Sequence, residues 1–65
     1  MIFYTLYEGR TKNDNDMVTN YRKRERAIEA ARKSKYAYAV VHQYEGPTFD
    51  DYDYTDTVYE KGAGQ

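Results

Sequence analysis

Cysteine and tryptophan are absent from this chain, and histidine, serine and proline occur once each, as His42, Ser34 and Pro47. Without cysteine, no disulfide or thiolate metal site can brace the fold, and a Cys-His catalytic pair is excluded. Any Ser-His chemistry would have to come from Ser34 and His42 alone, and Ser34 falls at the expected end of a helix. Long apolar runs are missing too. The opening MIFYTLY has no basic flank and is cut off by Glu8, which makes it too short for a signal peptide or a membrane span. The expected setting is the cytoplasm, with no membrane partner.

What is present is tyrosine. Nine tyrosines stand beside a thin apolar inventory of Met1, Ile2, Phe3, Leu6, Met17, Val18, Ile28, Val40, Val41, Phe49 and Val58. A chain of 65 residues makes one domain, and at this size it buries only about 60% of its unfolded surface. Tyrosine rings, or a second copy of the chain, must therefore complete the core. Each ring carries a hydroxyl that needs water or a partner, which suits half-buried and interfacial positions. The net charge of −1 favours neither nucleic acid nor membrane, but the charge is divided. Residues 21–35 carry seven basic side chains against Glu25 and Glu29, whereas residues 45–60 carry six acidic ones and no basic one.

The chain is organised around Arg24 to Tyr44, where a short alanine-rich helix runs directly into a tyrosine- and valine-rich strand. Ala27, Ile28 and Ala31 recur at helical spacing, and from Tyr36 to Tyr44 the period becomes two. Before this stretch, Ile2 to Glu8 reads as a strand, with Ile2, Tyr4 and Leu6 on one face and Phe3, Thr5 and Tyr7 on the other. GRTKNDND, Gly9 to Asp16, reads as a polar turn. Met17 to Lys23 fits either a second strand or the first helical turns. A strand is preferred, because a helix capped at Asn20 would crowd Arg22, Lys23 and Arg24 at the positive end of its dipole. The helix then starts near Arg24, spans about 11 residues and ends among Arg32, Lys33 and Lys35, where the dipole is negative.

Its small stripe implies close approach to an equally small surface, which Ala37, Ala39 and Val41 supply. Tyr36, Tyr38, Val40, His42 and Tyr44 then occupy the opposite side of the sheet. Glu45 to Tyr54, EGPTFDDYDY, reads as a connection ending in an acidic-aromatic loop, and Thr55 to Lys61 as a last strand with Thr55, Thr57 and Tyr59 opposite Asp56, Val58 and Glu60. The expected fold is a two-layer α+β domain in the order ββαββ, with one short helix on one face of a four-stranded antiparallel or mixed sheet. It occupies residues 1–61, and residues 62–65 form a disordered tail.

Little here resembles a reaction centre. Asp50, Asp51 and Asp53 could pair as carboxylates, but acid-base work needs a dry pocket. The runs Asp50 to Asp56 and Asn13 to Asp16 are rich in oxygen ligands, yet neither has the glycine and bidentate glutamate of a calcium loop. No enzyme activity, cofactor or metal is expected. The leading reading is a small binding protein that uses Tyr36, Tyr38, His42 and Tyr44, helped by Asp50, Asp51, Tyr52, Asp53 and Tyr54, to dock on another protein or on itself as a homodimer. The short chain, missing catalytic set and split charge resemble the accessory proteins with which phages and mobile elements inhibit or redirect host machinery. That likeness is one of style and rests on no motif. The alternative is nucleic-acid binding through Arg22, Lys23, Arg24, Arg26, Arg32 and Lys33, with bases stacked on tyrosines. It is less favoured because the arginines and the rings should occupy different faces.

Overall fold

The computed structural model describes residues 1–63. Strands β1 (Ile2–Gly9) and β2 (Met17–Tyr21) lead into helix α1 (Arg24–Arg32), followed by β3 (Tyr38–Thr48) and β4 (Asp51–Lys61). All strand pairings are antiparallel, in the order β2-β1-β3-β4, so the fold is α+β with one helix on one four-stranded sheet. The stretch from Met17 is a strand as far as Tyr21, and the chain enters the helix through an extended Lys23 with φ −107° and ψ 129°. No side chain caps the helix start, and the Lys23 carbonyl accepts from the Ala27 amide at 3.2 Å.

The core is small side chains pressed together. Leu6, Ala27, Ala31, Ala39 and Val41 form it, with Tyr4, Tyr21, Ala30, Val58 and Tyr59 packed around them. Ala27, Ala31, Ala39 and Val41 are fully buried. Ala30 rather than Ile28 completes the helical stripe; Ile28 is half-buried and lies outside this cluster. A nine-residue helix is marginal alone, so its far end is tied down. The Lys61 ammonium donates to the Ser34 carbonyl at 2.8 Å and to the Arg32 carbonyl at 3.4 Å, meeting the orphan acceptors where the dipole is negative. The Ser34 hydroxyl donates to the Glu8 carboxylate, joining the same corner to β1.

Three expectations are corrected at the C-terminal half. β3 starts at Tyr38, since Tyr36 sits in the preceding bend with its amide donating to the Ser34 hydroxyl at 3.2 Å. Glu45 to Tyr54 is not a loop. β3 continues through Gly46 and Pro47 to Thr48, turns at Phe49 and Asp50, and returns as β4 from Asp51. Proline is tolerated because a register irregularity falls between Glu45 and Thr48, where no ladder amide is required of it. Gly46 sits there because a Cβ would come within 2.1 Å of the Asp51 carbonyl oxygen. Finally, Thr55 and Val58 each intrude as an extra residue between consecutive pairs, Gln43–Asp56 with Tyr44–Tyr54 and Val41–Tyr59 with His42–Thr57. These bulges break the alternation expected of the last strand, so Asp56 and Tyr59 share the helix side while Thr57 and Glu60 share the open side.

Gly62, with φ 80°, packs against the Ala37 carbonyl, so the ordered chain continues past Lys61; Gly64 and Gln65 of the expected tail lie outside the described residues. Eleven-residue strands reach about 36 Å against about 13 Å for the helix, so the β3–β4 hairpin runs on as an arm beyond the helix.

The alanine contact makes this fold sensitive to added volume. Ala31→Leu is expected to destabilise by about 1–3 kcal/mol through overpacking, whereas Ala37→Leu, at an exposed position, should stay within about 0.5 kcal/mol. Urea midpoints compare the two directly; equal shifts would mean the helix does not approach the sheet this closely.

Candidate functional site

On the side of the sheet away from the helix, β1 and β3 bring together residues that alternate along each strand. Phe3 is paired with Tyr44, Thr5 with His42 and Tyr7 with Val40. The arm twists its aromatic residues onto this surface. Phe3 stacks on Tyr44 with centroids 5.4 Å apart and meets Phe49 at 5.2 Å and Tyr52 edge-on at 5.1 Å. His42 lies between Tyr7 at 5.3 Å and Tyr54 at 5.2 Å. Tyr44 also meets Tyr52 edge-on at 5.3 Å. The result is a continuous aromatic layer, with Phe3 and Thr5 buried beneath it.

The polar tips of this layer are partnered within it. The Tyr7 and Tyr44 hydroxyls share a hydrogen bond of 2.8 Å, the His42 Nδ1 lies 3.4 Å from the Tyr44 hydroxyl, and the Tyr54 hydroxyl pairs with that of Thr57 at 2.7 Å. Tyr38 donates to the Glu60 carboxylate at 2.6 Å, while the Thr5 hydroxyl donates to Asn20 at 2.8 Å. Two shallow hollows flank the Tyr7–Tyr44 bridge. One, of about 440 Å³, has Tyr38, Val40 and His42 along it and Lys12, Asn15, Thr57 and Glu60 at its borders. The other, of about 290 Å³, lies among Phe3, Val18, Asn20, Phe49 and Tyr52. Both are open and mixed in polarity.

The expected site residues are only partly brought together. His42, Tyr44, Tyr52 and Tyr54 meet in the aromatic layer. Tyr38 is on the same side but only 3% exposed, sealed by its bond to Glu60, and serves as floor. Tyr36 stands apart, with the Lys35 ammonium 5.8 Å from its ring. Asp50 is at the hairpin turn and Asp51 opens β4. Asp53 pairs with Glu45, one step from the Tyr44–Tyr54 pair, so both carboxylates point to the helix side. The acidic residues therefore do not frame the rings, and two like charges stand directly opposite each other on the back of the arm.

Phe3 and Tyr7 are members of this surface that the sequence did not point to, whereas Phe49, expected as a candidate cover folding back over the tyrosine face with the acidic loop, does lie against Phe3. Phe3 and Tyr7 do share a face in the β1 alternation; what was not legible is that β1 lies next to β3. Of the basic residues, Arg32 and Lys33 are held by Glu29, at 2.6 and 3.0 Å. Arg22, Lys23, Arg24 and Arg26 are exposed around the helix start, with the Arg22 guanidinium 5.9 Å from the Phe49 ring. The basic run is thus divided, and most of it lies across the sheet from the rings. Among the described residues, no three metal-ligating side chains cluster, and no helix is long and apolar enough to cross a membrane.

Comparison of the chain with family models, curated proteins and solved structures gave no match.

The packing shifts three titrations, one on the acid side and two on the alkaline side. Burial holds His42 below its ordinary 6.5, although the Glu60 carboxylate pulls the other way. The unfolded chain therefore binds the extra proton first, so this contribution to stability is complete above pH 6.5 and is lost as the pH falls below it. Burial, and then the bond to Glu60, push Tyr38 up from 10 to about 12, so stability is complete below pH 10 and is lost as the pH rises toward 12. Tyr44 is raised in the same direction, by burial first and then by its bond to Tyr7. Urea unfolding at stepped pH checks both limbs. His42→Gln should flatten the acid limb between about pH 7.5 and 5.5 and Tyr38→Phe should reduce the alkaline one; unchanged slopes in the variants would refute the assignment.

Proposed function

We propose that this chain is a non-catalytic protein-binding module that docks on a partner protein through the aromatic layer formed by Phe3, Tyr7, His42, Tyr44, Tyr52 and Tyr54. The observation that carries this reading is an aromatic layer on the side away from the helix in which Tyr52 and Tyr54 remain 44% and 54% exposed. Rings already fixed by one another and by their hydroxyl bonds lose little freedom on binding. Large rigid side chains with polar tips are also the kind that anchor interfaces. The hollows beside the Tyr7–Tyr44 bridge give a partner's side chains places to enter.

The role that follows is that of an accessory protein, acting in the cytoplasm, that occupies a site on its partner. A cysteine-free composition suits that reducing compartment. Asp53 and Glu45 face away from the rings, so the flank of the acidic arm does not contribute.

A photo-crosslinking residue placed at Tyr54 tests this reading against one placed at Lys33 on the helix. Capture of one defined protein from Tyr54 and not from Lys33 is expected. With the purified partner, Tyr54→Ala should then weaken binding about tenfold or more. Capture from Lys33 alone would refute the docking face. A salt-sensitive gel shift with single-stranded nucleic acid that Arg22→Ala and Arg24→Ala abolish would favour the basic run instead.

A further inference from the structure

The sheet has two outer edges, and they are built differently. β4 forms one of them, and its regular pairing is interrupted by the extra residues Thr55 and Val58. It also carries Asp51, Asp53, Asp56 and Glu60. Bulges and charges are the devices by which edge strands refuse another strand. β2 forms the other edge and has neither. Its five residues, Met-Val-Thr-Asn-Tyr, pair with β1 without a register shift and contain no charge, glycine or proline. Met17 and Val18 are each 54% exposed.

We infer that β2 is a self-pairing edge, whose occupant is β2 of a second copy of this chain in an antiparallel register centred on Thr19. The charges that flank the strand select both the occupant and the register. Directly opposed residues in an antiparallel pair share a face, so successive registers shift the centre by one residue. Centring on Thr19 pairs all five residues: Met17 with the second copy's Tyr21, Val18 with its Asn20, and Thr19 with its own image. The same register sets Asp16 opposite the second copy's Arg22, and symmetry repeats that pair at the other end. Centring on Val18 places Asp16 against Asn20, and centring on Asn20 places Val18 against Arg22; both lose the ion pair and leave an end of the strand unmatched.

An independent feature fits the same geometry. Tyr21 packs on the core side of the sheet, so Met17 and Thr19 face that side as well. A shallow hollow of about 450 Å³ opens there between Tyr21 and the helix, at Arg26, Glu29, Ala30 and Lys33. Met17 of the second copy, opposite Tyr21, brings its exposed thioether to that hollow. The product is an eight-stranded sheet with both helices on one side and both aromatic layers on the other. A five-residue edge is short, so the dimer forms and dissociates with concentration. It stands independently of what the aromatic layer binds.

Sedimentation velocity of the full chain, at low salt and from about 10 μM to 1 mM, tests the pairing with Asp16→Arg, Arg22→Asp and the double exchange. The wild type is expected to dimerise. Each single exchange, which sets like charges opposite twice per dimer, should raise the dissociation constant about fivefold or more, and the double exchange should restore it. Both positions are at or beyond the strand ends, and circular dichroism confirms that the variants fold. A wild type that stays monomeric at the highest concentration overturns the inference. So does a dimer indifferent to the exchanges, or one dissolved by Tyr54→Ser, which would place the contact on the aromatic layer.

Discussion

The close approach of one short helix to the sheet governs how this molecule is built. Ala27 and Ala31 meet Ala39, with Leu6 and Val41 beside them, and none of these leaves room for a ring between the layers. Side chains alternate across a strand, so placing Ala39 and Val41 beneath the helix commits Tyr38, Val40, His42 and Tyr44 to the other side. A helix of nine residues cannot cover strands of eleven. The ends of β3 and β4 are left to organise themselves, and the arm that results curls over the side the helix does not protect.

That side behaves as a second, wetter core. Phe3 and Val40 are buried there, at 5% and 4% exposure. Rings from Tyr44, Phe49 and Tyr52 do the covering, and tyrosine can do so because its hydroxyl accepts a position at the boundary with water. The Tyr7–Tyr44 and Tyr38–Glu60 bonds keep the polar tips satisfied, and no buried side-chain polar atom among the described residues lacks a partner. A chain with so few aliphatic residues thus reaches a folded state by spreading aromatic contacts over an open surface. The same economy leaves that surface available for contact.

Charge follows the architecture. The exposed cations of Arg22 to Arg26 gather at the uncapped helix start, the less favourable end of the dipole, while Arg32 and Lys33 share the single carboxylate of Glu29. Acidic residues line β4, where they and two bulges guard the outer edge, and the Glu45–Asp53 pair sets like charges opposite each other on the back of the arm. The remaining edge, β2, has neither guard, and its flanking Asp16 and Arg22 are of opposite sign.

Periodicity, with the helix dipole to place the helix start near Arg24, determined the order of elements and the division of Ala39 and Val41 from Tyr38, His42 and Tyr44 across β3, because each depends on residues close together in the chain; Ala37, expected on the alanine face, instead precedes β3 and is exposed. Periodicity could not determine where β3 ends. Gly46 and Pro47 carry every local mark of a connection, and they remain inside the hairpin only because β4 returns alongside and a register irregularity absorbs them. Nor could it place Phe3 and Tyr7 beside Tyr44, or set Tyr54 on the same face as Thr57, since the first depends on β1 lying next to β3 and the second on the extra residue at Thr55. Side-chain alternation is a property of one strand, whereas strand adjacency and bulges are properties of two, and only the folded chain brings the second strand into place.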